Sequence, residues 1–188
     1  MPRAVPAREL LKALPLFEAL DPASVARLAE AVERRPVRRG ERVFRRGDRP
    51  TGLYVLVFGQ VRLLGTGRAG GQRLTGVVEP GQSFGEPVMF LDRPALVDAE
   101  AATDSLVLHL PKEVVFDEIE RSPRFARRLI AGLSSRVEAL VREAERQDLG
   151  GGRERLADYL LRQAGRTPEE PFTLPASKAA IAAHLLLT

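Results

Sequence analysis

The stretch "PGQSFGEPVMFLDRPALVDAEA", Pro80 to Ala101, gathers the residues of this chain best suited to chemistry. It has the look of a loop built to hold a small anion. It holds Phe84, Gly85 and Glu86 in succession, and Arg93 seven residues after the Glu. Closed anion sites rely on charge-assisted, directional hydrogen bonds from such groups and from backbone N–H donors. The neighbouring positions are poorer: Pro94 has neither hydroxyl nor N–H, and Ala95 and Leu96 are apolar.

Other chemistries are excluded more firmly. The chain has no cysteine, which removes disulfides, thiolate catalysis and cysteine-held metal or iron–sulfur sites together. Its two histidines, His109 and His184, are far apart in sequence, so no metal centre is expected from them. A jelly-roll enzyme of the cupin kind needs clustered His and Glu ligands, and one histidine in the β region cannot supply them. No Ser-His-Asp or paired-carboxylate pattern stands out, so the chain is read as a non-enzyme. The net charge of +4, carried almost wholly by Arg, fits an anionic partner such as nucleic acid. No apolar run approaches the roughly 20 residues of a membrane span, and the N-terminus lacks a signal-peptide core. The expected location is cytoplasmic, with no membrane partner.

At 188 residues and 44% hydrophobic content, the chain can build one good core plus a small second module. Residues 7–34 read as helices, with Asp21 as N-cap, Pro22 at N1, and Val25, Leu28, Ala29 and Val32 on one face. From Pro36 to about Pro111, short alternating runs separated by Gly and Pro predict a sandwich or jelly roll. Within it, "GLYVLVFGQVRLL" turns at Gly59, "GRAGGQR" is a hairpin tip, and "QRLTGVVEPG" and "SLVLHLP" are strands. "KEVVFDEIERS" predicts a short helix. A longer one starts after Ser122 and carries Ala126, Ile130, Leu133, Val137, Leu140 and Ala144 at alternating steps of four and three. That is a narrow heptad seam, widened by Leu129 and Val141, and it predicts pairing with a second copy. Gly150 to Gly152 read as a hinge. "RERLADYLLRQAG" is amphipathic through Leu156, Tyr159, Leu160 and Gln163. "RTPEEPFTLP" reads as a loop, and "ASKAAIAAHLLLT" as a last helix with Ser177 as N-cap. The fold class is α+β: a jelly-roll domain over 1–118, a long dimerisation helix over 119–149, and a C-terminal module over 150–188.

This order of parts resembles the cyclic-AMP receptor protein and FNR family of bacterial transcription regulators. The likeness rests on "YVLVFGQVRLL", "EPGQSFGE", "ATDSLVLHLPKE", the long helix and "FTLPASKAAIAAHLLLT". It implies a cyclic-nucleotide-binding-like effector domain, a homodimer along the long helix, a winged helix-turn-helix that binds DNA, and RNA polymerase as a partner. Ser177 and Lys178 then fall where such proteins contact phosphate, and Thr188 where the recognition helix starts; Ile181 and Leu185 face the core. Leu186 stands where the family usually has Gly, at a cost of about 1 kcal/mol if the backbone there is left-handed. The chain as given stops within the helix-turn-helix, before the recognition helix. Major-groove readout needs that element, so the DNA-binding function belongs to the complete protein.

In the cyclic-nucleotide branch of the family, a "GE" turn and a downstream Arg-Ser/Thr-Ala clamp the ligand. Phe84, Gly85 and Glu86 match the first half. Counting back from "ATDS", the Arg position falls on Ala95 and the Ser/Thr position on Leu96; a shift by two puts Arg93 in the Arg role with Pro94 beside it. In either register the cradle has lost donors, and tight cyclic-AMP binding is not expected. Three readings stay open: Glu86 and Arg93 form a structural ion pair or cap the loop; the pocket takes an apolar or haem-like effector, for which His109 is a conceivable ligand; or a residual nucleotide site survives through Arg93. No cofactor is assigned. The leading function is a homodimeric DNA-binding regulator not controlled by cyclic AMP. The alternative is a small-effector sensing module with a non-DNA output.

Overall fold

The computed structural model describes residues 5–18, 20–49, 51–66, 71–149, 152–163, 174 and 176–185. Two helices come first, α1 (Ala7–Lys12) and α2 (Pro22–Ala31). The Asp21 side chain accepts from the backbone N–H groups of Ala23 and Ser24, both at 2.9 Å, which satisfies two donors orphaned at the helix start. The Ser24 N–H, then the Ser24 hydroxyl, hold the Asp21 carboxyl below its ordinary pKa. Val25 and Leu28 are buried as the periodicity predicts. The helix stops earlier than expected: Val32 takes an extended backbone, and Glu33–Val37 is strand β1, paired antiparallel with residues 105–109. Sheet pairing there outweighs the local helical pattern of "AVERR".

Seven further strands follow: β2 (Arg42–Phe44), β3 (Gly52–Phe58), β4 (Val61–Thr66), β5 (Gln72–Val78), β6 (Ser83–Phe84), β7 (Asp98–Ala101) and β8 (Ser105–Pro111). They make two four-stranded sheets, ordered β1-β8-β3-β6 and β2-β7-β4-β5, and the strand pairs among the described residues are antiparallel. One core lies between the sheets and contains Val37, Phe44, Tyr54, Leu56, Val61, Val78, Phe84, Ala99 and Val107. A second lies on the other face of β3 and β8, where Leu53, Val55, Leu108 and Leu110 meet Leu11, Phe17, Val25, Leu28 and Phe125 from the helices. The jelly roll flanked by helices is therefore present. The tip of the β4–β5 hairpin at 67–70 lies outside the described residues.

Gly59 makes the β3–β4 turn with φ 91°, and an added Cβ would stand 2.2 Å from Ser105 Oγ and 2.7 Å from the Asp104 carbonyl. Left-handed strain and the clash act together, so Gly59→Ala should destabilise the roll by about 3 kcal/mol, read as a lower denaturant midpoint.

The β5–β4 pairing carries a bulge. Leu63 faces Gly76 and Leu64 faces Leu74, so Thr75 is an extra residue on β5. An even spacing of four would otherwise put Leu74 and Val78 on one face of the strand. Instead Val78 enters the inter-sheet core, while Leu74 and Leu64 join a third cluster outside it.

After the roll come α4 (Lys112–Arg121) and α5 (Pro123–Leu149), with Ser122 Oγ accepting from Phe125 N at 3.3 Å. Phe125 and Leu129 bury into the helix-side core, so Leu129 belongs to its own roll and not to the exposed seam. Two more helices, α6 (Gly152–Gln163) and α7 (Lys178–His184), complete the described chain. Ser177 caps α7 by accepting from Ala180 N at 3.2 Å. No helix among the described residues is long and apolar enough to cross a membrane. Of the hinge, Gly150 and Gly151 lie outside the described residues, as do most of the 164–175 segment, Leu186 and Thr188.

Candidate functional site

The loop that follows β5 folds back as β6 and then turns at Gly85 into a short helix, α3 (Glu86–Leu91). Gly85 has φ 91°, and a Cβ there would press the Tyr54 ring at 3.0 Å, so this turn needs glycine. Tyr54 stacks on Phe84 at 5.3 Å and meets the His109 ring in a tilted contact at 4.9 Å, and burial raises its phenol pKa. The anion loop is thus built on an aromatic floor, and six of its residues, Glu86–Leu91, are helix where the sequence predicts only loop.

Glu86 opens α3 and is 2% exposed. An ionised carboxylate so placed requires a partner. That partner is not Arg93, so the ion pair that belongs to one of the three open readings does not form. Arg136 reaches across from α5 and donates through one guanidinium nitrogen to Glu86 Oε2 at 3.3 Å and through the other to the Ser83 carbonyl. The Ser83 hydroxyl donates to the other carboxylate oxygen. The ion-pair reading of Glu86 with Arg93 is therefore corrected: Glu86 pairs with Arg136, and Arg93 is exposed after Asp92, which ends α3 in a left-handed conformation (φ 52°).

The positions where a cyclic-nucleotide clamp would stand are occupied otherwise. Ala95 is buried in the inter-sheet core, and its backbone is already committed: its N–H donates to the Asp48 carbonyl and its carbonyl accepts from Gly47 N, both at 2.8 Å. Leu96 is 79% exposed. A side-chain anchor for phosphate is absent from both. Between α5 and the β5–β6 turn lies a cavity of about 430 Å³, lined by Ser83, Gln82, Val77, Ser135 and Arg136 among others. Arg136, the partner of Glu86, is one of the lining residues, and Glu86 is not. His109 is buried, with Nε2 3.2 Å from Thr51 Oγ1 and Nδ1 3.3 Å from Glu33 Oε2. Both ring nitrogens are engaged, which fits a packed strand histidine. Among the described residues no group of His, Asp or Glu could hold a metal ion.

The remaining candidate residues are spread along α5 and α7. Ile130, Val137 and Leu140 are 61%, 60% and 59% exposed, Leu133 is half-buried, and Ala144 is exposed. A stripe of large apolar side chains left facing water on a 27-residue helix is an unsatisfied surface. Ser177 and Lys178 are exposed at the α7 N-terminus, while Ile181 and Leu185 are buried.

Residues 34–122 match the family model of the cyclic nucleotide-binding domain. The cyclic AMP receptor protein of Thermus thermophilus is 31% identical over 81% of this chain and 70% of its own length. A regulatory subunit of cAMP-dependent protein kinase from Mycosarcoma maydis is 30% identical over 72% of this chain, which spans only 24% of that relative. Among solved structures, the Thermus thermophilus catabolite activator protein aligns with 93% of this chain and 81% of its own, at 29% identity and a TM-score of 0.62. The order of roll, long helix and C-terminal helices, together with these likenesses, places the chain in the cyclic-AMP receptor protein and FNR family of regulators, as a member with a cyclic-nucleotide-binding-type module.

Proposed function

We propose that the complete protein is a homodimeric, cytoplasmic, DNA-binding transcription regulator, working with RNA polymerase, whose control does not pass through cyclic AMP. The observation that carries this is the Glu86–Arg136 pair: the carboxylate at the effector turn is met by a cation of its own chain, while Ala95 and Leu96 hold the clamp positions without donors. Two copies pair along the α5 seam through Ile130, Leu133, Val137, Leu140 and Ala144. That pairing, with the Gly150–Gly152 hinge, sets the separation of two C-terminal modules, which must match half-sites about 34 Å apart on a pseudo-palindrome. Ser177 and Lys178 contribute phosphate contacts at a helix N-terminus, giving register and salt dependence but not base specificity.

The test is selection of DNA fragments by the full-length gene product, with and without cyclic AMP. The expected result is one two-fold symmetric site, enriched equally in both conditions and lost at high salt. Enrichment only with cyclic AMP would overturn the effector part of the reading. No enrichment in either condition would favour the second reading, an effector module with a non-DNA output, which the likeness to the kinase regulatory subunit supports.

A further inference from the structure

The third apolar cluster joins the β4–β5 hairpin of the roll to the C-terminal helices. Leu64 and Leu74 of the β4–β5 hairpin are buried against Tyr159 of α6 and against Ala176, Ile181 and Leu185 at α7. Val77, Leu160, Leu174 and Ala180 pack around them. The bulge at Thr75 makes this possible, because it turns Leu74 out of the roll while Val78 stays within it. Helix α7 has only seven residues, well below the length at which an isolated helix holds in water. Its order therefore derives from what covers Ile181 and Leu185, and β5 is the strand it lies against.

Val77 has a second role. It lines the 430 Å³ cavity beside Arg136 and Ser83, and it also packs on the hairpin cluster. One residue of β5 thus touches both the candidate effector space and the seat of the C-terminal helices. We propose that the β4–β5 hairpin is a cradle that holds α6 and α7 in cis, so that the pose of the C-terminal module answers to the effector cavity through β5 as well as to the long helix. This rests on the regulator reading for its biological meaning, but the contact itself does not require DNA.

Coupling through packed side chains has to be shown by perturbation. Hydrogen exchange on the full chain reads it residue by residue. Leu74→Asp should cost the amides of 178–185 about tenfold or more of their protection, while β3 and β8 keep theirs. Leu74→Ala should give a smaller loss confined to the same segment, and it decides the matter if the Asp variant unfolds the roll. Protection of 178–185 unchanged in Leu74→Ala, or lost equally in β3 and β8, would overturn the cradle. Val77→Ala should loosen 178–185 as well; an unaffected α7 there would remove the link to the cavity. Failure of the DNA reading would show instead as no fragment enrichment by either the parent sequence or the Leu74 variants, whatever the exchange pattern.

Discussion

The parent sequence is expected to sediment as a dimer, and a chain carrying Leu133→Asp and Val137→Asp as a monomer. Ile130, Val137 and Leu140 expose more than half of their surface along one stripe of α5, while Phe125 and Leu129 anchor the adjoining face of the same helix in the roll. The helix is therefore fixed by one face and unsatisfied on the other. Burying a side chain of this size fully contributes about 1.5–3 kcal/mol, and a two-fold seam counts each residue twice. Two aspartates per chain would remove that gain and set like charges opposite their own copies. The combined loss should weaken the dimer by at least about a thousandfold, equivalent to ~4 kcal/mol. Circular dichroism of the roll should be unchanged, because neither residue belongs to its core clusters. A variant that remains a dimer at micromolar concentration would sink the seam.

The second large effect concerns stability. Arg136→Ala leaves the Glu86 carboxylate buried with only the Ser83 hydroxyl beside it. Removing one partner of a buried pair is costly because the other charge stays behind, desolvated. Arg136 is itself about one-third exposed, which favours the lower end of the range, about 3 kcal/mol. For a chain of this size that corresponds to a melting temperature lower by roughly 6–12 °C. Glu86→Gln in the same chain should restore most of the loss, since no charge is then stranded. That recovery separates an ion-pair effect from mere loss of arginine packing. Equal melting of Arg136→Ala and the parent sequence would show that the pair contributes nothing.

Much of this architecture is legible in the sequence because it is local. Asp21 before Pro22, Ser122 before the long helix and Ser177 before the last one are caps whose partners lie two or three residues away. Gly59 and the strands around it announce themselves by composition. The misses are contacts over distance. Arg93 is the nearest cation to Glu86 in the loop, whereas Arg136 is fifty residues on and meets it only once α5 has docked. One signal was available: Arg136 lies a heptad after Leu129, on the helix face that packs on the roll. The strand β1, the helix α3 and the short strands β6 and β7 were also hidden, because pairing with distant segments, not local pattern, decides them. The bulge at Thr75 is of the same kind. A register that moves by one residue is invisible in a run such as "QRLTGVV", yet it determines that Val78 and not Leu74 enters the inter-sheet core.

The placement of α7 along β5 has a consequence for solubility. β5 is the outer strand of its sheet, and beside it Leu64 and Leu74 form an apolar step that the C-terminal helices cover. An outer strand with open backbone groups and bare leucines is a template for strand addition by another molecule. The C-terminal helices are thus expected to guard the roll against self-assembly. A protein shortened to residues 1–149 would present that step to water and is the form most prone to aggregate.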